Sequence, residues 1–241
     1  SSGIGMQLAK VMSADGFTLG LTGRRIELLE GLKTQLSTPA CIRSMDIAKT
    51  DEAMDCLNRL TDEMGGVDLI IIDSGKRIVV VDIISAGIGF INKDLDWNLE
   101  KETIHTNVLG VTAMMDAAMK YFLNRKSGHL AVISSVAALR GSAYCPAYNA
   151  SKAYISNYLE GMQCKVKKEK LDVTVTDIRP GLVDTAMAKG DGLFWVMPLE
   201  KAAAQIYAAL KKRKEQVYVT KRWGLIGFIL KRIPRFLYYK I

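Results

Sequence analysis

"HLAVISSVAALRGSAYCPAYNASKAYISNYLEG" (residues 129–161) joins two patterns that decide the fold. It begins as a short apolar strand signal that stops at Ser134-Ser135. It continues as a helical pattern that sets Tyr148 four residues before Lys152. Residues four apart share one helix face. The spacing alone proves little, because "YAALK" places Tyr207 and Lys211 equally far apart. That second pair has no serine-ended strand before it and lies in an ordinary amphipathic helix. Tyr144, Tyr154 and Tyr158 have no lysine four residues on. Context, not spacing, singles out Tyr148 and Lys152.

Working outward, short β-branched runs alternate with longer amphipathic segments. Strands are expected at 17–23, 40–46, 67–72, 129–135, 172–178 and 216–220. Helices are expected at 3–14, 24–36, 49–64, 96–124, 147–170 and 199–213. Such alternation predicts an α/β fold: a doubly wound, mainly parallel sheet with helices on both faces. Folds of this kind take ligands beyond the carboxyl ends of their strands.

The 241 residues suit one ordinary domain, and 49% apolar with 24% charged residues is a globular composition. The formal charge of +8 admits nucleic acid, a membrane surface or an anionic cofactor as partner. The excess gathers in "KVKKEK" (165–170), "KKRK" (211–214) and the last twenty residues. With no nucleic-acid module recognisable, nucleic acid ranks last. Cys41, Cys56, Cys145 and Cys164 form no CxxC, and with His105 and His129 they give no metal-ligand pattern. No disulfide framework or signal peptide is read, so a cytoplasmic protein is expected.

The chain opens "SSGIG" ahead of an apolar-periodic helix. Gly3 and Gly5 there suit close approach of a pyrophosphate to a helix N-terminus; a plain helix cap is the alternative. The second expected segment ends "LTGRR", with Arg24 and Arg25 where an acid would favour a free ribose hydroxyl. Arginines favour a 2′-phosphate, so NADP(H) is expected over NAD(H).

With these residues in view, the chain resembles the short-chain dehydrogenases/reductases of compact, single-domain type. The likeness runs from residue 1 to about 220 through "SSGIG", "TGRR", "MDI", "SAGIG", "HTNVLG", "VISSVAA", "YNASK" and "RPGLVDTAM", in family order. The resemblance implies an oxidoreductase that moves hydride between a nicotinamide and a carbonyl or secondary alcohol. It makes Tyr148 the general acid or base, and Lys152 the group that holds the nicotinamide ribose and lowers the tyrosine pKa. Ser135, not Ser134, would polarise the substrate oxygen, because the family serine stands thirteen residues before the tyrosine. Asn107 would support a proton relay through water to the lysine. Cofactor contacts are implied for Ser2, Gly3, Ile4 and Gly5, for Arg24 and Arg25, and for Asp46 and Ile47 beside the adenine. Ser85, Ala86 and Gly87 match the turn usually written "NAG"; Pro180, Gly181, Val183 and Thr185 would line the nicotinamide end. A free tyrosine titrates at about pH 10, and bringing its pKa down by one takes about 1.4 kcal/mol. A nearby ammonium acts in the direction required.

Two departures from the family stand out. The first strand and its glycine turn are expected to be missing, although that strand is central. An extra segment, 73–84, separates "VDLIII" from "ISAGIG". Its "GKRIVVVD" resembles the missing strand. It is either a surface hairpin, or a displaced strand in the vacant central place, or a sign that the sequence departs there from the natural order. The apolar "IVVV" favours a buried strand at 77–82.

In the family the substrate loop follows "VDTAM"; here that stretch, 188–198, is short. Phe194 and Trp195 are expected to close over an apolar substrate, with Leu139 and Tyr144 opposite; packing on the core or on a neighbouring subunit is the alternative. Residues 1–220 are expected to form the catalytic domain and 221–241 a basic, apolar tail. "KRWGLIGFILKRIPRFLYYKI" suits peripheral contact with a membrane or packing on another subunit, and its apolar centre is too short to span a bilayer. The resemblance implies a homodimer or homotetramer. A dinucleotide-binding sensor or scaffold without turnover stays open as the alternative function.

Overall fold

The computed structural model describes residues 3–73, 83–85, 91–184 and 195–240. Its elements are α1 (Gly3–Ala14), β1 (Leu19–Gly23), α2 (Ile26–Lys33), β2 (Ala40–Ser44), α3 (Thr50–Glu63), β3 (Leu69–Asp73), β4 (Ile83–Ser85) and α4 (Trp97–Ile104). A π-helical turn (His105–Gly110) leads into α5 (Val111–Arg125), then β5 (Ser127–Ile133) and a 3-10 turn (Val136–Leu139). The chain ends with α6 (Pro146–Lys168), β6 (Asp172–Pro180), α7 (Leu199–Lys211), β7 (Gln216–Val219), α8 (Lys221–Arg232) and α9 (Arg235–Tyr238). The expected elements are present with ends shifted by a few residues; the helix expected over 96–124 is α4, the π turn and α5 in succession.

Among the described residues the strands form one sheet in the order β2-β1-β4-β3-β5-β6-β7, every neighbouring pair parallel. Side chains alternate across it. Leu69, Ile71, Ala131 and Ile133 join the core beneath α1, α2 and α7. Ile70, Ile72, Leu130 and Val132 join the core beneath α3, α5 and α6. Burial on both faces explains why these strands read as unbroken apolar runs. Each fully buried Leu or Ile contributes roughly 1.5–3 kcal/mol.

Ile83–Ser85 lies between β1 and β3, with Leu21 opposite Ile83 on one side and Ile71–Asp73 opposite Ile83–Ser85 on the other. The end of the extra segment therefore occupies an interior place in the sheet, between β1 and β3. The strand expected at 77–82 lies outside the described residues. Because all neighbours are parallel, the carboxyl ends of β1, β2, β4, β5 and β6 share one edge, and the candidate site residues follow these ends.

Candidate active site

β5 ends at Ile133, and the two serines after it have different surroundings. Ser134 is buried, with its amide donating to the Ile178 carbonyl at 2.8 Å and its hydroxyl donating to the Asp177 carboxylate. Asp177 in turn accepts from Arg179 Nε at 2.7 Å, and Arg179 donates to the Tyr218 hydroxyl at 3.1 Å. Ser134 is thus consumed in knitting β5, β6 and β7 together. Ser135 is half-buried and extended, and its Oγ accepts from the Ala137 amide at 3.1 Å. A hydroxyl that accepts there still has its own O–H to donate.

The 3-10 turn after Ser135 is tied to the start of α6 by Asn149, whose Nδ2 donates to the carbonyls of Ala137 at 3.0 Å and Arg140 at 2.6 Å. Pro146 opens this helix, where its missing N–H is not needed. Asn149 therefore fixes Ser135 relative to Tyr148, its neighbour in sequence. No sequence signal separated Asn149 from an ordinary helical polar residue; only its burial and its two carbonyl partners do.

Tyr148 is half-buried, while Lys152, one turn on, is 1% exposed. The Lys152 ammonium donates to the Ile133 carbonyl at 3.2 Å and stands 5.5 Å from the Tyr148 ring centroid. It pins α6 to the end of β5 beside the two serines. An ammonium removed from water is costly unless partnered, so its burial is a specific feature of this position. Asn107, fully buried in the π-helical turn, donates to Ser151 Oγ at 3.0 Å, and Ser151 donates to the Tyr148 carbonyl at 2.7 Å. Asn107 thus reaches the helix next to Lys152.

Two other tyrosines donate their hydroxyls to carboxylates. Burial pushes the Tyr158 phenol up to about 12, aided by its hydrogen bond to Asp116. Burial and the Asp15 carboxylate also push Tyr207 up. Lys211 contacts the same Asp15 at 3.1 Å, so the "YAALK" pair fastens α7 to the end of α1. A carboxylate neighbour disfavours phenolate. Lys211 stands 5.3 Å from the Tyr207 ring centroid, much as Lys152 stands 5.5 Å from that of Tyr148, so the bond to Asp15 is what marks Tyr207.

On the cofactor side, Gly3 adopts φ +75° where α1 begins, and no acid lies in that helix's first turn. Arg24 and Arg25 are exposed at the carboxyl end of β1, and α2 starts only at Ile26. Asp46 Oδ1 accepts from the Ala48 amide at 3.1 Å, and Ile47 is buried. Gly110 backs this turn closely: a Cβ there would lie 2.7 Å from the Ile47 carbonyl oxygen. Ile4, Gly5, Pro180 and Val183 are buried. Ser85 is placed by its backbone at the end of β4. Ser2, Ala86, Gly87, Thr185 and Phe194 lie outside the described residues.

The remaining expected wall residues meet an element that the sequence did not attach to the site. A Cβ on Gly181 would collide with the Trp223 indole at 2.0 Å, and one on Gly227 would meet Leu139 at 2.7 Å. Helix α8 therefore backs both Gly181 and Leu139. The Asp184 amide donates to the Met197 carbonyl at 2.8 Å, and the Met197 amide donates to the Leu182 carbonyl at 2.9 Å. These bonds draw together the two ends of the expected substrate loop. Trp195 is half exposed, with Arg222 of α8 5.7 Å from its ring centroid, and Tyr144 is exposed. The small residues in "WGLIG" were the signal for a closely packed helix.

The parallel sheet and the residues gathered at its carboxyl edge define a Rossmann-like α/β protein. Residues 1–192 match the short chain dehydrogenase family, and the chain belongs to that family of oxidoreductases. An uncharacterised oxidoreductase of Staphylococcus epidermidis is 31% identical over 192 residues, covering 79% of this chain and 77% of its own. Two solved structures share the fold. The alcohol dehydrogenase of the archaeon Thermococcus sibiricus, complexed with 5-hydroxy-NADP, superposes with a TM-score of 0.75 at 21% identity over 90% of this chain and 91% of its own. A short-chain dehydrogenase/reductase of Burkholderia phymatum in complex with NAD gives 0.78 at 15% identity over 93% and 88%.

Proposed function

We propose that this protein is an NADP(H)-dependent oxidoreductase acting on a small carbonyl or secondary alcohol, with Tyr148 as general acid and base. The observation that carries the proposal is the buried Lys152 ammonium, hydrogen-bonded at the end of β5 one helical turn from Tyr148. A bound nicotinamide dinucleotide supplies the hydride chemistry. Tyr148 gives its proton to the substrate oxygen in reduction and takes it back in oxidation. The charge of Lys152 favours the phenolate left behind. Ser135 donates its O–H to the same substrate oxygen, and Asn107 and Asn149 hold α6 and the 3-10 turn in register.

A nicotinamide dinucleotide suits the residues at the sheet edge. The α1 N-terminus opens on Gly3 at positive φ without a competing carboxylate, which fits a pyrophosphate. The paired guanidinium groups of Arg24 and Arg25 support a 2′-phosphate, hence NADP(H). Ser2, Ile4, Gly5, Asp46, Ile47, Ser85–Gly87, Pro180, Gly181, Val183 and Thr185 complete the proposed cofactor contacts. A homodimer or homotetramer is proposed on family resemblance.

Titration of the purified chain with NADPH and with NADH, read by fluorescence, tests this directly. Tighter NADPH binding, weakened about tenfold in Arg24→Ala, is expected. A carbonyl panel with NADPH follows, and Tyr148→Phe should lower turnover by roughly 10²–10⁴-fold while NADPH still binds. Binding of neither nucleotide, or equal turnover by Tyr148→Phe, overturns the proposal.

A further inference from the structure

The twelve-residue helix α8 has two unlike faces. Trp223 and Gly227 are buried against Gly181, Leu139 and Tyr218. On the opposite arc Leu225, Phe228 and Ile229, at the i, i+3, i+4 spacing of one helix stripe, are 66%, 55% and 48% exposed. Helix α9 continues the apolar surface with Phe236 and Leu237, while Tyr238 turns inward to donate to the Gly141 carbonyl at 2.6 Å.

Cations frame this apolar strip. Lys221 and Arg222 stand before it, Lys231, Arg232 and Arg235 after it, and residues 221–240 contain no Asp or Glu. The Arg232 guanidinium lies 3.6 Å from the Phe228 ring centroid, alongside the strip.

We propose that the exposed face of α8 and α9 docks on an anionic lipid surface. An apolar centre between basic ends is the chemistry of a helix lying in the plane of a membrane interface, with apolar groups among acyl chains and cations at the headgroups. Charge complementarity decides against a second copy: two-fold self-pairing would set this acid-free rim of cations against itself. Among the described residues no helix is long and apolar enough to cross a membrane, so contact through α8 is in-plane. The buried side of α8 rests on Gly181 and Leu139. Docking therefore brings the edge of the candidate site to within one helix diameter, ~10 Å, of the lipid. Docking does not depend on the proposed hydride chemistry and is measured without turnover.

Deleting the tail is a poor test, because it would uncover the surface that Trp223 covers. Point changes on the outer face are better. The full chain is centrifuged with vesicles of phosphatidylcholine alone or with 30% phosphatidylglycerol (about one lipid in three, a strongly anionic surface), at low and high salt. Near-UV circular dichroism checks the fold, and light scattering gives the oligomeric mass. Binding to the anionic vesicles, weakened by salt, is expected; Phe228→Glu, and separately Lys231→Glu with Arg235→Glu, should each weaken it about tenfold or more. Phe228 and its neighbours are exposed, so the variants should keep the wild-type spectrum. No binding by the wild type, or equal binding by both kinds of folded variant, overturns the proposal. So does a halved oligomeric mass in Phe228→Glu with no vesicle binding in the wild type, which would make the strip a subunit contact.

Discussion

Lowering the pH should destabilise the protein through a single ring. His129 sits in β5, between Leu69 of β3 and Thr174 of β6, and is 7% exposed. Its Nε2 lies 2.8 Å from Thr176 Oγ1, and Thr176 donates its own proton to the Lys214 carbonyl, so the histidine is the donor. Burial, with Arg213 as a smaller contributor, lowers its pKa from 6.5 to about 4. The folded state therefore keeps the ring neutral where the unfolded chain takes up a proton. Stability from this group is full above pH 6.5 and is lost as pH falls toward 4. Between pH 7.5 and pH 5 the linkage amounts to about 2 kcal/mol, rising to about 3 kcal/mol below both pKa values. Asp15, which is held low by Tyr207 and Lys211, loses its contribution only below its ordinary 3.8, outside that window. Urea unfolding at the two pH values measures the difference. His129→Gln keeps a donor for Thr176 but removes the titration, so its loss on acidification should be smaller by about 2 kcal/mol. An equal loss in wild type and variant would refute the assignment of the acid sensitivity to this ring.

The two serines should separate function from stability. Ser135→Ala is expected to lower turnover roughly 10²-fold with little change in stability. Ser134→Ala is expected to cost about 1–3 kcal/mol by leaving Asp177 short of a donor, read as a lower urea midpoint with cofactor affinity retained. Gly110→Ala should force the Asp46–Ile47 turn away, because its Cβ would stand 2.7 Å from the Ile47 carbonyl oxygen. A loss of about 1–3 kcal/mol in unfolding, with weaker NADPH binding in titration, is expected.

Local chemistry was legible in the chain because it depends on neighbours in sequence. Tyr148 and Lys152 share a face by helical periodicity, and β3 and β5 declared their double burial by unbroken apolar runs. The parallel α/β class followed from strand–helix alternation alone. What the tertiary structure decided were contacts between residues far apart along the chain. Ser134 and Ser135 are adjacent and identical in kind; Asp177 and Ile178, forty-three and forty-four positions away, give one of them a structural task. The serine-ended strand ahead of Tyr148 and Lys152 already set them apart from Tyr207 and Lys211 in the sequence. Only the fold shows what the second pair does, because α1 brings Asp15 to it. Asn149 reads as one polar residue in a helix until the 3-10 turn presents two carbonyls to it. The tail read as a basic, apolar segment suited to a membrane surface or to another subunit, with no face assigned to this chain's own core. Folding divides it, because Gly181 and Gly227 lack the side chains that would hold α8 away: Trp223 goes inward beside the candidate site, and Leu225, Phe228 and Ile229 stay outside. Periodicity along a chain fixes which residues share a face, but which faces meet is set by long-range packing.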